Sequence, residues 1–433
     1  MSRFKYFFVI CICVVLSSPL SAQFAGGSGT AIDPYLISTV EHMQAMNSAY
    51  SSAAPSTPEL RHFKMTADVD MAGQTWTPFN INEGYTKHIH FDGNGHVIKN
   101  LSVIAISDYC SLFGVVCGSV KNLGVVNAYI EGTSKSGVGI IGGYLGVKSP
   151  SSTAFTGTIE NCYTTGKVVG TDAVGGFVGN LGKPIEGAVS TVKNCYSTAD
   201  VTATATGGNS RAGGIVGINW NGGVLMNCYA TGTITAASAK AGGIVGWSDN
   251  NVIGCVSRND SVINLVSGGI GRICAYMGGG NVTPVAQGIN CWGYDGTVLS
   301  DNGYIIDFYI TDGAFSTKGQ AYDGETKTVD YLSDPMNYFQ ELEWDFASEN
   351  NVWAQEMHNG YPIFQWLANR DDYQQIDGLD FNTAVDVISA EKWDEATARY
   401  FTLQGIKIEK PVKNNIYIVK SGNMTKKMLV TQE

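Results

Sequence analysis

Along most of the chain, short apolar runs alternate with clusters of Gly, Asn and Ser, and two such runs recur in every unit. Gly213-Gly214-Ile215-Val216-Gly217 is one kind; the other runs from Leu225 through Asn227-Cys228-Tyr229 to Ile234. Runs this short predict strands, because a helix wants about ten or more residues of sustained periodicity. Asn-Cys-Tyr returns at Cys162, Cys195 and Cys228, 33 residues apart each time. Glycine pairs recur at Gly142, Gly175, Gly213, Gly242 and Gly268, and the cysteine column continues at Cys255 and Cys291. An earlier unit is Leu112-Phe113-Gly114 with Val120-Lys121-Asn122-Leu123-Gly124, where Leu123 stands in the cysteine place.

A fixed interval of this size marks stacked repeats. No unit can bury its apolar face alone, whereas coils piled like on like at about 4.8 Å bury a continuous narrow core. The expectation is an all-β solenoid, a parallel β-helix. Glycine suits its sharp corners and close backbone approaches, Asn161, Asn194 and Asn227 suit left-handed bends, and their stacked amides can bond as a ladder.

The chain divides into five parts. Arg3 and Lys5, the apolar stretch from Tyr6 to Leu16 and Ser21-Ala22 predict a secretory signal over 1–22. An amino-terminal cap and first coils occupy 23–105, with a short helix starting at the capping box Ser38-Thr39-Val40-Glu41, then a loop over 51–58. Repeats fill 106–300, and closing coils with a carboxy-terminal cap fill 301–370. From 371 to 433 the periodic glycines disappear, and Tyr400–Ile408 and Asn415–Val419 alternate like a small antiparallel sheet.

The Gly-Gly-x-Val-Gly block followed by apolar-x-Asn-Cys-Tyr-x-Thr-Gly resembles the GLUG repeat of secreted bacterial surface proteins. The resemblance extends over roughly residues 26 to 366 through Asp33-Pro34-Tyr35-Leu36-Ile37, Phe91-Asp92-Gly93-Asn94-Gly95 and Asn359-Gly360-Tyr361-Pro362-Ile363. It implies a right-handed parallel β-helix on an exported protein, with adhesion as the usual assignment. The tail resembles the carboxy-terminal sorting domain of secreted Bacteroidetes proteins, departing from it at Asn415, where glycine is usual. That implies passage across the outer membrane, then surface attachment or release.

A net charge of −11 with only 15% charged residues disfavours nucleic acid and anionic membranes as partners. The apolar leader is too short to span a bilayer, and no other long apolar run predicts a span in the mature chain. Ten cysteines become eight once the signal is removed. The repeat column reads as buried free thiols, although adjacent coils lie within the roughly 4.4–6.8 Å Cα separation of a disulfide, and Cys110 with Cys117 is another conceivable pair.

Chemistry is sparse. None of the six histidines lies between Val97 and Met357, and His-Glu-x-x-His, which marks the zinc peptidases that GLUG repeats sometimes accompany, does not occur. His88, His90 and Asp92 share one strand face and could hold a metal; the alternative is a solvent-facing row leading into a turn. Asp68-Val69-Asp70 begins like a calcium loop, but the twelve-residue spacing ends on Phe79. Glu160 corresponds to Lys193 and Met226, as an exposed variable position would, and Asp172, Glu186, Asp200, Asp249 and Asp260 share no register. The expectation is therefore no enzyme, no cofactor, no metal and no catalytic residue.

Binding rests on aromatic rings. Trp220 and Trp247 both follow a Gly-Gly-Ile-Val-Gly block, so adjacent coils are expected to present them on one edge; Tyr163, Tyr196, Tyr229 and Trp292 form a second column. Flat rings favour sugars and protein partners, or else stack as a ladder that stabilises the coils, the favoured reading for the tyrosines. The functional expectation is an exported, cell-surface β-helix scaffold that binds a host or microbial surface protein or glycan through Trp220, Trp247 and Trp292. A polysaccharide-acting lyase or glycosidase and a purely structural spacer are the rivals.

Overall fold

The computed structural model describes residues 23–50, 59–79, 87–105, 108–133, 137–148, 154–182, 188–278, 287–306, 320–346 and 351–372, and four strands between 399 and 429. The signal segment 1–22 and the loop 51–58 lie outside the described residues. Contacts divide the chain into two units, 1–373 and 374–433.

The first unit is a parallel β-helix. Most strands pair in parallel with their counterparts one coil away, as Gly157–Glu160 does with Ser190–Lys193, and that strand in turn with Gly223–Met226. The coil pitch is the one the cysteines announce: Ile159, Val192 and Leu225 lie in register, all fully buried. Further columns run through Val168, Val201 and Ile234, and through Val178, Val216 and Val245. Their inward side chains merge with Cys162, Cys195, Cys228, Cys255 and Cys291 into one core. The eight cysteines from Cys110 to Cys291 are all buried, and none is in a disulfide. Burial raises the Cys110 thiol to about 11 and the Cys274 thiol to about 12, so neither ionises near neutrality.

Corners follow from the backbone each residue can adopt. Asn122, Asn161, Asn194 and Asn227 all have φ between 50° and 54°, the left-handed region that asparagine tolerates. The first three form the expected ladder: Asn122 Nδ2 donates to Asp92 Oδ1 at 3.1 Å, Asn161 to Asn122 and Asn194 to Asn161, each at 3.4 Å. Asn127, Asn100 and Asp70 make a second ladder at 2.7 and 2.8 Å. Glycine pairs mark crowding: a Cβ on Gly176 would overlap the Gly214 carbonyl, and one on Gly214 the Gly243 carbonyl.

The amino end holds the helix Val40–Ala45, which places Met43 in the core. Its cap is Thr39 instead of Ser38: the Thr39 hydroxyl accepts the His42 N–H, while Ser38 Oγ meets His42 Nδ1 at 3.2 Å. The carboxyl end departs more from expectation. Residues 344–346 and 351–372 do not form a lid over the last coil but run lengthwise back along the tyrosine column. Trp344 Nε1 donates to Gly254 O at 3.0 Å, Tyr229 hydroxyl to Pro362 O at 2.6 Å, Phe364 packs on Tyr196, and Trp366 on Tyr163. Arg370 closes the strap on the first coils, with Nη1 and Nη2 at 2.9 and 2.7 Å from the two oxygens of Asp68, 302 residues away. The outward face of that column is apolar, and water would contact it unless something lay across it. The second unit is a four-stranded antiparallel sheet of Arg399–Phe401, Lys407–Ile408, Ile416–Ser421 and Met424–Leu429.

Arg370→Ala is expected to lower stability by about 1.5–3 kcal/mol, the range for hydrogen bonds to charged groups, read as a lower urea midpoint at unchanged slope. Burial works to raise the Asp68 carboxyl, but the Arg370 hydrogen bond, the Val97 N–H and the charges of Arg370 and Lys99 outweigh it and hold it at about 2. Since 2 lies below the unfolded value of 3.8, this stabilisation is present above 3.8 and lost as pH falls towards 2; Arg370→Ala should show a shallower acid loss over that interval. At the corner, Asn194→Ala should cost about 1–2 kcal/mol more than Asn194→Gly, because only glycine enters the left-handed region without strain.

Candidate functional site

Outward-facing columns carry the chemistry. Lys64, Asp92, Lys121, Glu160 and Lys193 occupy one register position in successive coils and alternate in sign, with ion pairs of 3.6 Å between Asp92 and Lys121 and 2.9 Å between Glu160 and Lys193. Glu160 is thus a rung in a charge ladder. The next column stacks His62 on His90 at 4.5 Å between ring centroids, and His90 Nδ1 lies 2.6 Å from Ser119 Oγ. His88, His90 and Asp92 do share a face, but each meets different partners: His88 packs edge-on against Phe155, His90 meets Ser119, and Asp92 meets Lys121 and Asn122. Among the described residues, no three His, Cys, Asp or Glu side chains come together as metal ligands. The calcium-like segment is a strand ending in a turn, where Asp70 Oδ1 accepts the Ala72 N–H. Asp172 pairs with Arg211, Asp200 accepts the Thr233 N–H, and Glu186 lies outside the described residues.

Three tryptophans were expected on the binding surface, and the structure gives them different places. Trp292 is 1% exposed, lying edge-on to Tyr331 and Tyr338 with Lys327 over its ring, so it is not available to a ligand. The register of the column holds, with Val256 below Trp292, but the following helices cover it. The tyrosines are a ladder with centroids 5.0 and 4.8 Å apart, closed off by the strap. Trp220 and Trp247 do not share a column. Ile218 is the register partner of Trp247, two residues before Trp220, because Ile218-Asn219 separates Trp220 from its glycine block while Trp247 follows its block directly. Trp220, half-buried, donates Nε1 to Asn180 Oδ1 at 3.0 Å and leans on the small cluster of Tyr109, Val115, Cys117 and Tyr144.

Trp247 is the predicted residue that lies in a binding-type setting. The strand Val245–Ser248 leaves its ring partly exposed, 4.3 Å from Tyr276 on the next coil, and its Nε1 donates to Asp249 Oδ1 at 2.8 Å. Lys240 Nζ lies 4.9 Å from the Trp247 centroid and 5.3 Å from that of Tyr276. Arg211, one coil below Lys240, lies 5.3 Å from the same tryptophan and grips both oxygens of Asp172 at 2.7 and 2.6 Å. Burial lowers the Lys240 pKa, the Arg211 charge lowers it further, and Asp172 pulls it back. Beside these groups opens a groove of about 680 Å³ lined by Thr206, Gly208, Lys240, Gly268, Gly269 and Tyr276. Gly269 is the rung after Lys240 and lines the groove beside it. Sequence reasoning missed Lys240, Arg211 and Tyr276, since their meeting depends on coil lengths of different size. The available signal was that Lys240 and Arg211 each stand two residues before a glycine pair.

The family described as the GLUG motif matches residues 170–202 and 208–235. A Bacteroides ovatus protein of known crystal structure, provisionally named an immunoglobulin A1 protease, is similar at 34% identity and a TM-score of 0.68, over 79% of this chain and 96% of that one. A protein of Evansella cellulosilytica, provisionally named a Gly-rich membrane protein, is 32% identical over 119 residues, 25% of this chain. Halomucin of Haloquadratum walsbyi is 29% identical over 157 residues, 33% of this chain. The matched stretches are 13% and 2% of those two proteins' own lengths. The expectation of a chain without enzymatic activity is corrected here, because a relative similar along nearly its whole length carries a protease name.

Proposed function

The chain belongs to the same family as the Bacteroides ovatus protein, and on that footing we propose that it is an exported, surface-associated β-helix that binds saccharide-bearing partners in the groove beside Trp247 and Tyr276. The observation that carries the reading is the ring pair at 4.3 Å on the flank of an open groove walled by glycine, alanine and hydroxyl side chains. Flat rings take the apolar face of a sugar, and small wall residues let its hydroxyls reach backbone groups. Export draws on the positively charged, apolar amino terminus, and surface attachment on the tail that resembles a sorting domain. The membrane-protein name of the Evansella relative supports the same placement.

The name of the Bacteroides ovatus relative favours a second reading, proteolysis of immunoglobulin A1. On it, the β-helix would hold the glycoprotein while a peptide bond is cut.

On a glycan array, Trp247→Ala should weaken binding about tenfold, since a ring contact contributes roughly 0.5–1.5 kcal/mol beyond its buried area. Trp292→Phe, altered inside the core, should leave the array pattern unchanged; undiminished binding by Trp247→Ala sinks the groove reading. For the second reading, the full chain incubated with immunoglobulin A1 should yield discrete heavy-chain fragments on electrophoresis, and an intact heavy chain would remove it.

A further inference from the structure

We propose that the groove selects acidic saccharides, with Lys240 pairing the sugar carboxylate while Tyr276, backed by Trp247, carries the ring. This rests on the saccharide reading above and narrows its ligand.

Two cations meet at the Trp247 ring, and they are not equivalent. Arg211 is neutralised: its Nη1 lies between both oxygens of Asp172 at 2.7 and 2.6 Å. Lys240 is partly buried, and among the described residues no carboxylate forms an ion pair with it. Its ammonium instead lies over two ring faces, at 4.9 and 5.3 Å. Removing a charge from water without an opposite charge is costly, and ring faces recover only part of that. Such a position gains most from an arriving anion.

Geometry says where that anion would sit. Lys240 lines the groove, and the wall beyond it is formed by Gly268 and Gly269. The wall also includes Thr206, Ala237, Ser238, the exposed Val266 and the partly exposed Tyr276, and it carries hydroxyls. A hydroxyl-bearing wall with one flat ring suits a pyranose better than a peptide, whose side chains want separate pockets. The net charge of −11 opposes anions at long range, so recognition has to come from the short-range pair with Lys240.

Two ligand pairs isolate the carboxylate: an oligogalacturonide against its methyl ester, and sialyllactose against lactose. Titrated calorimetrically into the full chain, at least one acidic member should bind tenfold or more tighter than its neutral partner. Lys240→Met, which keeps the stem on the rings, should abolish that preference, and Lys240→Arg should restore it. Which pair responds separates a uronate from a sialate source. Equal binding of acidic and neutral members, or a preference that survives in Lys240→Met, overturns the inference. Neutral-sugar binding lost in Trp247→Ala would then leave the saccharide reading standing; no binding of any of the four sugars would remove both.

Discussion

The parallel hydrogen-bonded ladder between successive coils governs this molecule. Strands separated by about 4.8 Å must present side chains of matching shape at matching positions, since each rung is the floor of the next. Everything periodic in the chain answers to that. Isoleucine sits under valine under leucine, asparagine under asparagine at the left-handed corners, and glycine where a Cβ would strike the neighbouring carbonyl. Even charge obeys it: like signs in adjacent rungs would repel, and the column from Lys64 to Lys193 alternates.

A ladder repeats along one axis and so leaves its sides to be dealt with separately. The tyrosine side is apolar enough to need covering, and the returning segment supplies Trp344, Trp353, Phe364 and Trp366 in the reverse order of the rungs they cover. The opposite treatment is seen at Trp247, where the ring stays partly open and a cation lies over it. One face is thus sealed by the chain's own aromatic residues and another left accessible.

Much of this was legible in the residues. The 33-residue interval gave coil length, and the Asn-Cys-Tyr copies fall in register with bends, thiols and rings as expected. What failed to show was whatever did not repeat. Trp220 and Trp247 looked equivalent because both follow the same block, but two extra residues, Ile218-Asn219, set them in different columns. Trp292 was assigned correctly to its column, yet its covering by Tyr331 and Tyr338 comes from helices outside the repeats. The bond between Arg370 and Asp68 spans 302 residues with no pattern linking the two. The groove was invisible for the same reason: Lys240 and Tyr276 meet through the geometry of unequal coils.

The lengthwise strap also changes how the solenoid can come apart. Stacked repeats touching only their neighbours ordinarily peel from either end, one coil at a time. Here the segment anchored at Gly254, Tyr229, Tyr196 and Tyr163 ends on Asp68, so the first and last coils are tied to each other. Tension along the axis meets many fastenings in parallel instead of one terminal rung, and fraying at one end is felt at the other.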